Sequence, residues 1–145
     1  MVRPTPAPHA GSARLFIGLW PDEAVRAALA AHQQRWQWPR GASPVARERL
    51  HLTLHFLGDV GRGGVPALVA ALEGVRAAPF TLRCERPRRW HGGLAVLEAA
   101  PGEGLPALHR ALGEALEALQ VRLERRADVP GSGVNRLLCG KARRA

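Results

Sequence analysis

Cysteine, lysine and long apolar runs are all scarce in this chain, and each shortage removes a class of protein. Two cysteines, Cys84 and Cys139, with no C-x-x-C pair and no His-rich spacing around them, exclude a disulfide scaffold and give no zinc-ligand pattern. A reducing, cytoplasmic setting fits that usage. No run approaches the roughly 20 apolar residues that span a bilayer. The opening MVRPTPAPHAGSAR has no apolar segment of signal-peptide length, so residues 1–13 are expected to be a disordered lead.

Lysine occurs once, at Lys141, although Lys and Arg together number 21 against 12 Asp and Glu, so the positive charge is almost wholly arginine. Guanidinium forks suit phosphate, and a net charge of +9 favours a polyanion such as RNA. An arginine-rich proteome from a GC-rich genome would give the same composition, and charge alone does not separate the two.

At 145 residues the chain is expected to form one domain, long enough to bury roughly 70% of the surface its unfolded form exposes. RLFIGLW, residues 14–20, reads as a short apolar strand. Pro21, Asp22 and Glu23 then open a helix, because proline fits a first turn and carboxylates favour its positive end. Val25, Leu29, His32 and Trp36 mark its expected buried stripe. A loop, WPRGASPVARER, leads to a second strand, and GDVGRGG ends that strand before Pro66 starts a helix through about Val75.

FTLRCERPRRW, residues 80–90, alternates Phe80, Leu82 and Cys84 against Thr81 and Arg83. Gly92-Gly93 is a turn signal joining it to LAVLEAA in a hairpin. Pro106 opens a helix with a stripe of Leu105, Leu108, Leu112, Leu116 and Leu119, and VRLER alternates again. Strand, helix, strand has then occurred twice. His51 follows Trp20, the end of the first strand, by 31 residues, and the same count from Ala100 reaches Gly131. What stands there is ADVPGSGVNRLLCGKARRA, with the only Asn (Asn135), the only Lys, no histidine and no strand pattern before Leu137.

The densest chemistry lies in HLTLHFLGDV, residues 51–60. Strand alternation puts His51, Thr53 and His55 on one face and Leu52, Leu54 and Phe56 on the other. The bland reading is a solvent-facing set. A His51/His55 metal site lacks a third ligand motif, so His55 is taken as a cleft-wall or structural residue. Arg83, Arg86, Arg88, Arg89 and Trp90 form a basic cluster with an aromatic that could hold single-stranded RNA; an edge strand blunted by charge explains them at least as well. His91 reads as a turn residue, and His32 and His109 as helix packing.

The tetrapeptide His51-Leu52-Thr53-Leu54, an H-x-T-x motif, is followed by His55-Phe56-Leu57-Gly58-Asp59 and preceded by RLFIGLWPDEAVRAAL. Together these resemble the RNA 2′,3′-cyclic phosphodiesterases (2′-5′ RNA ligases, LigT-like) of the two-histidine, or 2H, phosphoesterases, over most of residues 14–126. The resemblance implies an α/β (α+β) fold, duplicated and two-lobed, with antiparallel sheets flanking a cleft and each half giving one H-x-T-x. It implies a monomeric hydrolase of RNA ends bearing a 2′,3′-cyclic phosphate, with no metal, no nucleotide cofactor and no membrane. His51 then takes the place of the general acid to the leaving 3′ oxygen and Thr53 of a donor to phosphate oxygens; the basic cluster supplies Arg83, Arg86, Arg88 and Trp90 as candidate substrate contacts. Opening a cyclic phosphodiester in line needs a proton taken on one side of phosphorus and given on the other, and imidazole near neutrality does either.

Members of that family usually carry a second H-x-T-x after a segment resembling LERR, and then run on through further strands. Here neither follows Arg126, which makes residues 127–145 an atypical tail and the second lobe incomplete. A degenerate member and a frame-changed or truncated end are both open, the tail's composition favouring the latter. Three outcomes follow: a cyclic phosphodiesterase, a non-catalytic RNA-end or phosphate-binding remnant, or a poorly folding product.

Overall fold

The computed structural model describes residues 11–90, 94–121 and 136–142. Along the chain these give β1 (Ser12–Leu19), α1 (Glu23–Gln34), β2 (Ala42–Pro44), β3 (Leu52–Gly61), α2 (Val65–Glu73), β4 (Cys84–Trp90), β5 (Leu94–Ala99), α3 (Gly104–Ala118) and β6 (Arg136–Ala142). Single 3-10 turns precede β3 at Arg47–Arg49 and α2 at Arg62–Gly64. The strands pair antiparallel in the order β1-β3-β6-β5-β4, with β2 also on β6. The expected α+β class with antiparallel sheets is thus the observed one. Within the sheet, β3 pairs with β6 at the single position Leu52↔Leu137.

Leucine drives the packing. Leu52 and Leu54 of β3, Ala99 of β5, and Leu105 and Leu112 of α3 form one buried cluster. Leu57, Leu68 and Leu116 tie β3 to α2 and α3. Leu50 and Leu97 take Leu29 and Trp36 from the α1 region. Leu52, Leu50, Leu97 and Leu116 are essentially inaccessible, and burying each such side chain is worth about 1.5–3 kcal/mol. All three helices therefore cover one face of the sheet, and the far face of β3 is left for other work.

Local signals hold with adjustments. Asp22, not Pro21, caps α1, its carboxylate accepting from the Val25 N–H at 2.9 Å. Val25 in the first turn is 49% exposed, so the buried stripe of α1 begins only at Leu29. The strand expected over 80–90 starts at Cys84, leaving Phe80 and Leu82 ahead of it. Leu119 is the C-cap of α3 and is exposed, so its stripe ends at Leu116. β4 and β5 pair as the expected hairpin, although its Gly92-Gly93 turn, the VRLER strand beyond Val121 and most of the expected lead lie outside the described residues. The tail contributes β6, an interior strand that begins one residue before Leu137.

Candidate active site

β3 does not keep a simple alternation. Its register against β1 pairs Gly18 with Thr53 and Ile17 with His55, leaving Leu54 unpaired, and then pairs Phe16 with Phe56 and Leu15 with Gly58, leaving Leu57 unpaired. Each skipped residue is a bulge, which turns two successive side chains toward one side. The second is helped by Gly58, whose φ of +66° suits glycine. The core-facing set becomes Leu52, Leu54, His55 and Leu57, with Val60 packed beside them, a spacing that a regular strand cannot produce.

Two expectations are thereby corrected. His55 does not share a face with His51 and Thr53: it is 8% exposed, inside the core beneath α3. Its Nε2 donates to the His109 carbonyl at 2.9 Å, its ring stacks on that of His109, and Gly113 of α3 passes close to it. Phe56, expected in the core, lies on the His51 face, within ring contact of Phe16, whose centroid is 4.9 Å from that of His51. His55 is structural, and the His51/His55 metal pair does not form. Among the described residues no group of three or more His, Cys, Asp or Glu is placed to hold a metal, and no helix is long and apolar enough to cross a membrane.

His51 stands just ahead of β3, partly open to solvent. Its Nδ1 lies 2.6 Å from the Arg49 carbonyl in the preceding 3-10 turn. A carbonyl only accepts, so Nδ1 carries a proton, which leaves Nε2 as the ring nitrogen that can take or give one. Trp20 stacks on this ring with centroids 5.0 Å apart and planes 16° from parallel. Thr53, two residues along the same face and partly exposed, sits opposite Gly18, which offers no side chain to cover it. Sequence reasoning singled out His51 and Thr53 as candidates and passed over Trp20 and Gly18 beside them; the glycine inside an apolar strand was the available signal.

Arg86 and Arg88 stand on β4 and Arg83 just ahead of it. β4 is the far edge of the sheet, three strands from β3. Arg88 pairs with Glu98 at 3.2 Å and Arg83 approaches Glu85 at 4.0 Å. The described contacts do not bring these arginines to His51, and charge on an edge strand matches edge protection. The side chain of Trp90 and all of His91 lie outside the described residues.

The two halves repeat one plan, since β6 stands to β5 as β3 stands to β1, each an antiparallel neighbour reached through a helix. Gly18, two residues before Trp20, faces Thr53, and Glu98, two residues before Ala100, faces Arg136. The position matching Thr53 is therefore held by Arg136. Two residues back along the chain, at the position matching His51, the sequence has Val134. Both Val134 and Gly131, the position reached by simple counting, lie outside the described residues.

The family described as LigT like Phosphoesterase matches residues 19–94, a span that holds the H-x-T-x and the bulged strand. An RNA 2′,3′-cyclic phosphodiesterase of Thermus thermophilus is 37% identical over 116 residues, covering 80% of this chain and 54% of the relative. The chain thus spans about half the length of that curated relative. The crystal structure of TT0787, also of Thermus thermophilus, superposes with a TM-score of 0.71 at 25% identity, over 92% of this chain and 76% of that one. E. coli LigT shares the fold both in its apo form (TM-score 0.74, 23% identity, 94% of this chain and 76% of that one) and in complex with 3′-AMP (0.72, 22%, with the same coverage). The chain is a member of the LigT-like phosphoesterase family, built on the 2H phosphoesterase fold.

Proposed function

We propose that this chain acts on RNA ends carrying a 2′,3′-cyclic phosphate, opening the ring to a 2′-phosphomonoester. His51 serves as general acid to the leaving 3′ oxygen, and Thr53 donates a hydrogen bond to a nonbridging phosphate oxygen. The observation that carries this reading is the tethered imidazole. With Nδ1–H committed to the Arg49 carbonyl, Nε2 makes no hydrogen bond among the described residues and is the atom free to move a proton. Water attacks phosphorus, the P–O3′ bond breaks in line with it, and the protonated His51 gives its Nε2 proton to O3′. The Thr53 hydroxyl, on the same face, holds charge that builds on the phosphoryl group. The proton released by the attacking water goes to solvent, because the place of the second histidine is not filled by one.

Arg136 at the position matching Thr53 favours a second reading, a non-catalytic phosphate- or RNA-end-binding member. Arginine holds phosphate firmly but does not exchange a proton near neutrality. Single-turnover hydrolysis of a short RNA ending in a cyclic phosphate, run beside salt-dependent binding of the same RNA, separates the two. Slow cleavage that His51→Ala abolishes supports the enzyme. Binding that weakens steeply with salt, with no cleavage in either protein, supports the binder. Neither cleavage nor binding at low salt would sink both.

A further inference from the structure

We infer that Trp20 and Gly18 are positioning residues for His51, an inference that rests on the proposed role of that histidine. The placement of Trp20 is not that of a core residue. It follows the last residue of β1 and has no ladder partner in β3. With 51% of its surface exposed, it withholds much of the apolar area that a core tryptophan would bury.

What the indole does touch is the imidazole. It lies nearly parallel to His51 at 5.0 Å, and Phe16 leans on both rings, 5.6 Å from Trp20 and 4.9 Å from His51. These separations are those of offset aromatic pairs. The hydrogen bond to Arg49 fixes one atom of His51, about which the ring still pivots; the flat indole removes that pivot. Together they aim Nε2.

Gly18 makes room for this. A Cβ there would stand 3.0 Å from Trp20 Cζ3, 3.3 Å from Cη2 and 3.1 Å from the Leu52 carbonyl oxygen. The indole folds back across β1 over Gly18, where a Cβ would press on it. Trp20 carries no acid or base group able to replace His51, its single N–H being a donor only. Its contribution is orientation, and a misplacement of about 1 Å at a reacting group can lower a rate by about 10²-fold.

The test compares the full chain with Trp20→Ala, Trp20→Phe and Gly18→Ala in three measurements: the ring resonances of His51 in ¹⁵N-histidine spectra, the affinity for inorganic phosphate, and the single-turnover rate at saturating cyclic-phosphate RNA. Trp20→Ala and Gly18→Ala should each shift the His51 ring protons out of the indole's ring current and lower the rate by roughly ten- to a hundredfold, with phosphate affinity unchanged. Trp20→Phe should restore most of both. His51 resonances that stay at wild-type positions in Trp20→Ala overturn the inference, as does a loss that falls equally on phosphate affinity. A wild-type chain without turnover would defeat the functional reading, and the Gly18→Ala resonances, read with the indole still present, would then decide whether Trp20 orients His51.

Discussion

The imidazoles of His55 and His109 lie face to face, with centroids 4.0 Å apart and planes 16° from parallel, and they tie β3 to α3 from below. The His55 ring donates to the His109 carbonyl, and the backbone of Leu54, the unpaired residue of the first bulge, favours the charged form of the His109 ring. The bulge that removes His55 from the site thus gains a polar anchor for the adjacent helix.

A pH dependence follows from this pair. Burial first, and then the charge of His55, hold His109 below the ordinary histidine value of 6.5, the Leu54 contact opposing them. Between the lowered folded value and about 6.5 the unfolded chain binds more protons, so stability rises with pH. The contribution is complete above about 6.5 and is lost as pH falls through the folded value. Urea midpoints should decline from pH 7.5 to 5.5, and His109→Gln should flatten the decline; an equal decline in the variant would remove His109 as its source.

At the site, His51→Ala should lower whatever cleavage the chain shows by about 10²- to 10⁴-fold, the usual worth of a general acid. Thr53→Val, which keeps the β-branched shape and removes the hydroxyl, should cost about 10²- to 10³-fold in the same assay if that hydroxyl stabilises the transition state. Single-turnover rates of both, with circular dichroism to verify folding, check this; undiminished cleavage in His51→Ala would assign the chemistry to another residue.

The register between β5 and β6 supplies a repair. The double variant Val134→His, Arg136→Thr places an H-x-T-x at the positions that match His51 and Thr53. Its cleavage rate should exceed wild type by up to about 10²- to 10⁴-fold, the contribution of a second proton-transfer group. The same pair of residues introduced at 131 and 133 should give no gain, and a larger gain there than at 134 and 136 would refute the register argument.

Gly58 is the conformational hinge of the second bulge. At φ +66° an alanine is strained, so Gly58→Ala should lower stability by about 1–2 kcal/mol. Gly61→Ala, whose Cβ would meet nothing within 4 Å, is the control and should change little. Urea titration of the two reads the difference, and equal midpoints would show that the bulge tolerates a side chain.

Local sequence was enough for the three helices and for β1, β3, β4 and β5, and it made His51 and Thr53 candidates. Caps, proline positions and leucine spacing placed α1, α2 and α3, and two-residue alternation set His51 beside Thr53, because over three residues a strand has no room to deviate. Long-range pairing governed the rest. Whether His55 and Phe56 face core or site depended on where β1 skips a residue of β3, a choice made by cross-strand register and the packing of α3, neither of which is encoded in local periodicity. Trp20 reaches His51 only because two distant segments pair with Gly18 between them. The tail, whose composition marks it as foreign, becomes an interior strand because β5 and β3 offer open backbone hydrogen bonds, which any extended segment able to fit between them can satisfy.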